Sequence, residues 1–473
     1  MKVRLWTLGI GFLFLSGGII QAQTVSNSTV ENQKEVEVTV YNSSLGLIKD
    51  IRSVQFPVGE GELRFMDIAA SVMPETVHVK SLNHPDQLTV LEQNYEYDLI
   101  NETKLLDKFV GKQIKIIESR EFQDRKDVID AVLLSNNDGH VYKINNEIYL
   151  GHPGIKVLPE IPGNLIATPT LAWHYDNKSA EPHDIEVSYL TQNINWKADY
   201  VLVLNQDDSQ SDLSGWVTLD NQSGTAYRNA GLKLVAGEVN RVQPAYQEKY
   251  MMAAAPMAES RGSQFEEKSF FEYHIYDLQR KTTIKDREIK QINLLEANAI
   301  PIQKEFVVQG VSYYLTSFYG GQIPKQPVNV YIKFKNSKEN KLGMSLPAGI
   351  MRLYKKDNEG KLQFAGEDRI EHTPKDEEVK LKIGEAFDLV AERKQTDFKQ
   401  VTTQSYESEW EVVLRNHKEE DVTVSVVEPL LGQWQVLSNN HEFIKKDAAT
   451  IQFDVLVPKD GETKITYRVR IGT

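Results

Sequence analysis

The sequence predicts a mainly β protein, built as several antiparallel β-sandwich domains plus a small five-stranded, barrel-like insert. Three observations carry that expectation. Apolar residues recur at every second position along most of the chain, turn residues interrupt them at short intervals, and helical periodicity is hardly found. A chain of 473 residues also exceeds what one core organises, so several packed units are expected.

The elements follow in order. Residues 1–22 read as an export signal, with Lys2 and Arg4 as a basic start, an apolar run from Leu5 to Ile20, and Ala22 as the small cleavage-site residue. An N-terminal β domain is expected over 23–98. It opens with a hairpin in which Val36, Val38 and Val40 answer Leu45, Leu47 and Ile51 across Asn42-Ser43-Ser44. The insert is expected over 99–160. Asn101 caps a short helix that carries Leu105, Leu106, Phe109 and Val110 and ends at Gly111. Five strand candidates follow, Ile114–Ile117, Val128–Ser135, His140–Ile144, Glu147–Leu150 and Ile155–Leu158, parted by Asn137-Asp138-Gly139, Asn145-Asn146 and Pro153-Gly154 turns.

A central β-sandwich is expected over 161–345. Strand alternation is strongest there between Val187 and Val242, and a loop without alternation is expected over 245–270. A C-terminal β-sandwich is expected over 346–473, with strands at Trp410–Asn416, Val422–Val427, Trp434–Leu437, Thr450–Val457 and Thr463–Ile471. The charge-alternating runs Lys285–Lys290 and Lys375–Lys382 suit sheet edges, where charge blocks pairing with another chain.

Composition narrows the function classes. With 0 Cys the chain has no disulfide, thiolate metal site or cysteine nucleophile. Its net charge of −13, which becomes −15 once Lys2 and Arg4 leave with the leader, repels phosphate backbones, so nucleic acid is not an expected partner. No second apolar run is long enough to span a membrane after signal removal, which places the expected product outside the cytoplasm, periplasmic or secreted.

The chemistry-bearing motifs are absent: there is no Gly-x-Ser-x-Gly elbow, His-Glu-x-x-His helix, phosphate loop or dinucleotide fingerprint. The histidines show no metal-ligand spacing, and no cofactor or metal is expected. Asp207–Asp212 lacks the glycine and glutamate of a calcium loop and suits a hairpin turn. Period 2 places Glu272, His274 and Tyr276 on one strand face, where they can present an acid, an imidazole and a phenol, or simply form the wet side of an amphipathic strand. Trp196, Tyr200 and Trp216 can line a sugar or peptide groove or anchor a core. The candidate ligand-binding residues are Trp196, Tyr200, Glu238, Arg241, Glu272, His274 and Tyr276, and no catalytic residue is assigned.

Four blocks, Ser188–Thr191, Asn195–Tyr200, Leu213–Val217 and Leu232–Arg241, carry a resemblance. It continues through Phe271–Tyr276, Thr282–Lys285, Leu346–Gly349 and Gly366–Ile370. The chain resembles an exported bacterial family of unknown function related to mucoidy inhibitor A. Lys281 stands where that family's pattern leads one to expect proline. The resemblance implies an influence on exopolysaccharide or envelope state and brings no reaction or catalytic residue. The expected function is an exported, non-catalytic envelope protein binding a protein or glycan partner through its β domains. The alternative is an envelope hydrolase acting on peptide or glycosidic bonds, with Glu272, His274 or carboxylates near Glu238 as acid and base.

Overall fold

The computed structural model describes residues 24–120, 125–162, 165–237, 239–240, 265–270, 273–311, 315, 318, 322–430 and 432–472. The expected signal segment therefore lies outside the described residues. The fold is mainly β, in several separate sheets. Two compact units are formed: the first takes the chain up to Val36 together with Lys49–Leu190, and the second takes Glu37–Ile48 and everything from Thr191 onward.

In the first unit a four-stranded sheet has the order Thr24–Ser28, Gly59–Met66, Thr170–Asn177, Leu88–Glu96. A second layer runs from the end of strand Leu45–Val54 through His183–Gln192 to His78–Ser81. The layers close on Leu63, Leu88, Val90, Trp173 and Tyr175 from one side and Val79 and Ile185 from the other, leaving a void with room for at most a water-sized molecule. Alternation is the cause: each strand gives every second side chain to this interior.

The insert contains the five expected strands, in the order Glu147–Leu150, Val141–Ile144, Arg125–Ser135, Gln113–Arg120, Ile155–Val157. Helix Glu102–Phe109 covers one face, and Asn101 caps it by accepting from the Lys104 amide at 2.9 Å. Leu106 and Phe109 pack there against Ile114, Ile116, Leu133 and Tyr142. The barrel-like expectation is corrected in one respect. The outer strands Glu147–Leu150 and Ile155–Val157 do not pair with each other, so the sheet stays open, and one helix suffices to cover its inner face.

The second unit begins with a sheet in which Tyr227–Ala236 pairs parallel with Gln33–Tyr41 and antiparallel with Tyr273–Leu278, itself flanked by Phe265–Phe270. Of the loop expected over 245–270, residues 245–264 lie outside the described residues, and Phe265–Phe270 is a strand. Against this sheet lies a five-stranded one: Glu288–Pro301, Gln210–Asn221, Ile194–Leu204, Gly349–Lys356, Leu362–Ile370. Asp207–Asp212 forms the hairpin turn into strand Gln210–Asn221, with Asn205 Oδ1 accepting from the Ser209 and Gln210 amides. The remaining strands make a sandwich of six and five strands, ending at Gly472. Both charge-alternating runs feed edge strands, Glu288–Pro301 and Glu378–Glu385.

Two buried polar clusters are as informative as the apolar core. In the C-terminal sandwich Arg393 and Glu428, each 1 % exposed, meet at 2.6 Å, and Arg393 also donates to Tyr467 Oη at 3.0 Å and to Gln326 Oε1 at 3.0 Å. Burial pushes the Glu428 carboxyl above its ordinary value despite the adjacent guanidinium. Removing one partner of such a pair strands a charge in the core, whereas replacing both need not. Glu428→Leu is expected to destabilise the C-terminal sandwich by about 3–5 kcal/mol, and Arg393→Met with Glu428→Leu to recover most of that loss, as read by urea unfolding followed by tryptophan fluorescence.

In the first unit His183 is fully buried between Ser81 and Asn177. Asn177 Nδ2 donates to the carbonyls of Phe56, Pro57 and Ser179, which fixes Oδ1 as the acceptor facing His183 Nε2 at 3.1 Å. Nε2 therefore carries a proton, and Nδ1 lies 2.9 Å from Ser81 Oγ, a hydroxyl that also has Asn83 Oδ1 within 3.2 Å. A serine, an imidazole and an amide in line are reminiscent of a hydrolytic relay, but all three are buried and Ser81 Oγ also accepts the His84 amide.

Burial, then the neighbouring His84, lowers the His183 pKa below its ordinary value. As pH falls the unfolded chain takes up this proton first, so the contribution is present above about pH 6.5 and is lost as pH drops from there through the folded value. The melting temperature is expected to fall between about pH 7 and 5, with a shallower slope in His183→Gln. Equal slopes for the two proteins would exclude His183 as the source.

Candidate functional site

Sequence parity decides where the expected site residues go. On strand Ile194–Leu204 the positions Ile194, Trp196, Ala198, Tyr200, Leu202 and Leu204 all face the core. Trp196 is 2 % exposed, its Nε1 donates to the Val235 carbonyl at 3.2 Å, and its ring meets the edge of Tyr276 at 6.1 Å. Tyr200 and Tyr276 are equally buried, and burial pushes both phenols well above their ordinary value, so each is a neutral donor. Tyr200 donates to the Pro347 carbonyl and Tyr276 to the Ser345 carbonyl, both at 2.8 Å.

His274 shares the face of Tyr276, as period 2 requires, and its Nδ1 lies 2.6 Å from Glu267 Oε1. The other oxygen of Glu267 accepts the Ser345 amide at 2.9 Å. Residues 345–349 are thus a strap held by two side chains from neighbouring strands, Glu267 and Tyr276, and by Tyr200. The Ala348 amide donating to His372 Nδ1 at 3.1 Å and a bridge between Leu346 and Thr373 complete it. Gly349 closes the strap because a Cβ there would collide with the Ala198 carbonyl. Glu238, Arg241 and Glu272 lie outside the described residues.

Burial works against ionisation of Glu267, but its contacts with His274 and the Ser345 amide outweigh that and hold the carboxyl below its ordinary value. A depressed folded value means that the stabilisation is present above the unfolded carboxylate range and lost as pH falls through the folded one.

The opposite face of the five-stranded sheet is different in kind. On Gln210–Asn221 the core positions are Leu213, Gly215, Val217 and Leu219, so Trp216 points outward, 36 % exposed. Its row across the sheet reads Asn293, Trp216, Asp199, Ile350, Arg369. The next row reads Glu296, Ser214, Val201, Arg352, Glu367, and the one beyond it Asp212, Val203, Tyr354, Phe364.

A chain of contacts pins the polar groups of these rows. Asp199 Oδ1 accepts from Arg352 Nη1 at 3.1 Å, its Oδ2 accepts from Thr218 Oγ1 at 2.9 Å, and Arg352 Nε reaches Glu367 Oε2 at 3.2 Å. Gln291 donates to Thr218 Oγ1 at 3.3 Å, and Tyr354 and Phe364 meet edge to face at 5.6 Å. Among the described residues neither Trp216 Nε1 nor Tyr354 Oη has a hydrogen-bond partner. Nothing in this arrangement is an acid–base pair poised around a cleft. It is a preordered sheet surface of rings and hydrogen-bonding groups. No group of three or more His, Asp or Glu side chains suited to a metal is found among the described residues.

The sequence of this sheet and its strap falls within a match to the family described as domain of unknown function DUF4139, over residues 185–433. The match covers more than half of the chain. The chain belongs to the DUF4139 family. No curated protein matches it. The DUF4139 region holds Trp196, Tyr200, His274 and Tyr276, the strap, and the whole outward face around Trp216.

The strap's stability rests on those contacts, and this has a direct readout. Glu267→Ala is expected to speed hydrogen exchange at the Ser345 and Leu346 amides by at least about tenfold, and in the wild type the same amides are expected to loosen as pH falls through the depressed Glu267 value. Unchanged exchange in the variant would remove Glu267 from the strap.

Proposed function

We propose that the mature chain is an exported, non-catalytic protein of the cell envelope, periplasmic or secreted and akin to mucoidy inhibitor A, that binds a protein or glycan partner through a β-sheet surface. One observation carries this reading. The face around Trp216 offers an exposed ring among polar groups already fixed in place, whereas His183 with Ser81 is buried and Glu267 has both oxygens engaged, by His274 and the Ser345 amide. Binding rewards that condition, because groups held by their own protein lose little freedom when a partner arrives. No helix among the described residues is long and apolar enough to cross a membrane, in keeping with a partner met in the aqueous phase.

The hydrolase alternative needs an acid and a base with free lone pairs around a cleft. Glu267, with one oxygen on His274 Nδ1 and the other on a backbone amide, can orient that imidazole, but among the described residues no serine, threonine or second carboxylate is hydrogen-bonded to His274 to complete an acid–base set. The test is retention from envelope extract on immobilised protein lacking residues 1–22, with proteins and polysaccharides both identified. A specific retained partner is expected, together with no release of peptide or sugar products from that extract. Repeated failure to retain anything, or steady product release lost in His274→Ala, would reverse the assignment.

A further inference from the structure

Resting on that binding reading, we propose that the outward face of the five-stranded sheet in the second unit is a glycan-binding site for an extended, uncharged polysaccharide chain. Trp216 anchors one end of the site and the Tyr354–Phe364 pair the other.

The chemistry of the face selects the ligand. A pyranose ring presents an apolar C–H side that covers an aromatic ring and a rim of hydroxyls that need donors and acceptors in the same plane. Trp216 supplies the ring and an uncommitted N–H, and Asn293 and Asp199 stand directly beside it on the neighbouring strands. Two strands across and four residues along, Tyr354 and Phe364 supply the second aromatic surface. Strand spacing and rise put the two anchors about 16 Å apart, so a ligand touching both spans several sugar rings.

Between the anchors runs the row Ser214, Val201, Arg352, Glu367, in which Arg352 bridges Asp199 at 3.1 Å and Glu367 at 3.2 Å. Arg352 and Glu367, with side chains 33 % and 52 % exposed, present N–H bonds and lone pairs to hydroxyls, and the buried Asp199 holds Arg352 in place.

The same row argues against the other occupants. A protein interface has an apolar centre from which charged residues are depleted, whereas here the charges occupy the centre and the rings the ends. A polyanionic chain, whether acidic polysaccharide or nucleic acid, meets a protein whose net charge is −13 with the leader and more negative without it, and on this face Lys197 and Arg352 both contact Asp199, which leaves Arg369 at the far end of the Trp216 row as the cation outside that cluster. An uncharged polymer meets neither obstacle.

The test is affinity electrophoresis of the mature protein in native gels cast with soluble mixed-linkage β-glucan, galactomannan or, for contrast, alginate. Retardation is expected in at least one neutral-glycan gel and not in alginate. Trp216→Ala and the double variant Tyr354→Ala with Phe364→Ala should each weaken apparent affinity by about tenfold or more, Trp216→Phe by less, and Phe387→Ala, which alters a side chain 97 % exposed elsewhere, not at all. Trp216→Phe keeps most of the covered ring surface and should hold the wild-type melting temperature, so it preserves the test if Trp216→Ala does not fold. No retardation in either neutral gel, retardation in alginate alone, or retardation indifferent to Trp216 and to the Tyr354–Phe364 pair would overturn the site. A protein captured from envelope extract while the gels stay negative would sink this inference and leave the broader binding reading standing.

Discussion

Two buried phenol hydroxyls organise the second unit. Tyr200 and Tyr276 come from strands in different sheets, and each spends its proton on a carbonyl of the same short strap, at Pro347 and Ser345. A phenol in an apolar interior must find an acceptor, and a strap carbonyl buried with it must find a donor, so each satisfies the other's requirement. The strap leads directly into strand Gly349–Lys356, which enters in parallel register with Ala198 opposite Gly349. That register places Arg352 within reach of Asp199 and Tyr354 opposite Val203, so the outward face inherits its geometry from hydrogen bonds made on the inward one. A Cβ at residue 349 would push the strand off the Ala198 carbonyl, and the face would lose its alignment with the ring of Trp216.

Much of the fold was legible because it is local. The Asn101 cap, the opening hairpin and all five insert strands follow from residues within a few positions of one another. Whether the insert closes was not, since closure depends on two strands at its ends finding each other, and nothing in Glu147–Leu150 or Ile155–Val157 encodes that choice. Glu267 escaped notice for a similar reason. Phe265-Glu266-Glu267-Lys268 has no alternation, and its meaning comes from the Tyr276 opposite it and a strap more than 70 residues away. Arg393 and Glu428 were illegible because charge in a sequence reads as surface until a partner is placed beside it.

The tryptophans show where a sequence signal existed and residue type obscured it. Trp196 stands in step with Ile194, Ala198, Tyr200 and Leu202, a run of apolar positions, and so belongs to the core. Trp216 stands in step with Asp212, Ser214, Thr218 and Asp220, while Leu213, Val217 and Leu219 take the alternate places. Parity alone separates the two. Judged as aromatic residues they look equivalent; judged by the company they keep at two-residue spacing, one is a core anchor and the other is a ring on the polar side of a strand.

The same distinction bears on what kind of function this architecture favours. Catalysis by side chains depends on lone pairs and protons left unspent until substrate arrives, and the buried imidazole and carboxylate groups here have already been spent on amides and hydroxyls. Recognition asks for the reverse, polar groups locked in one geometry at the surface, because the entropy of ordering them has been lost in folding and need not be lost again on binding. The Asp199–Arg352–Glu367 chain is locked in that way, beside a tryptophan on the polar side of its strand.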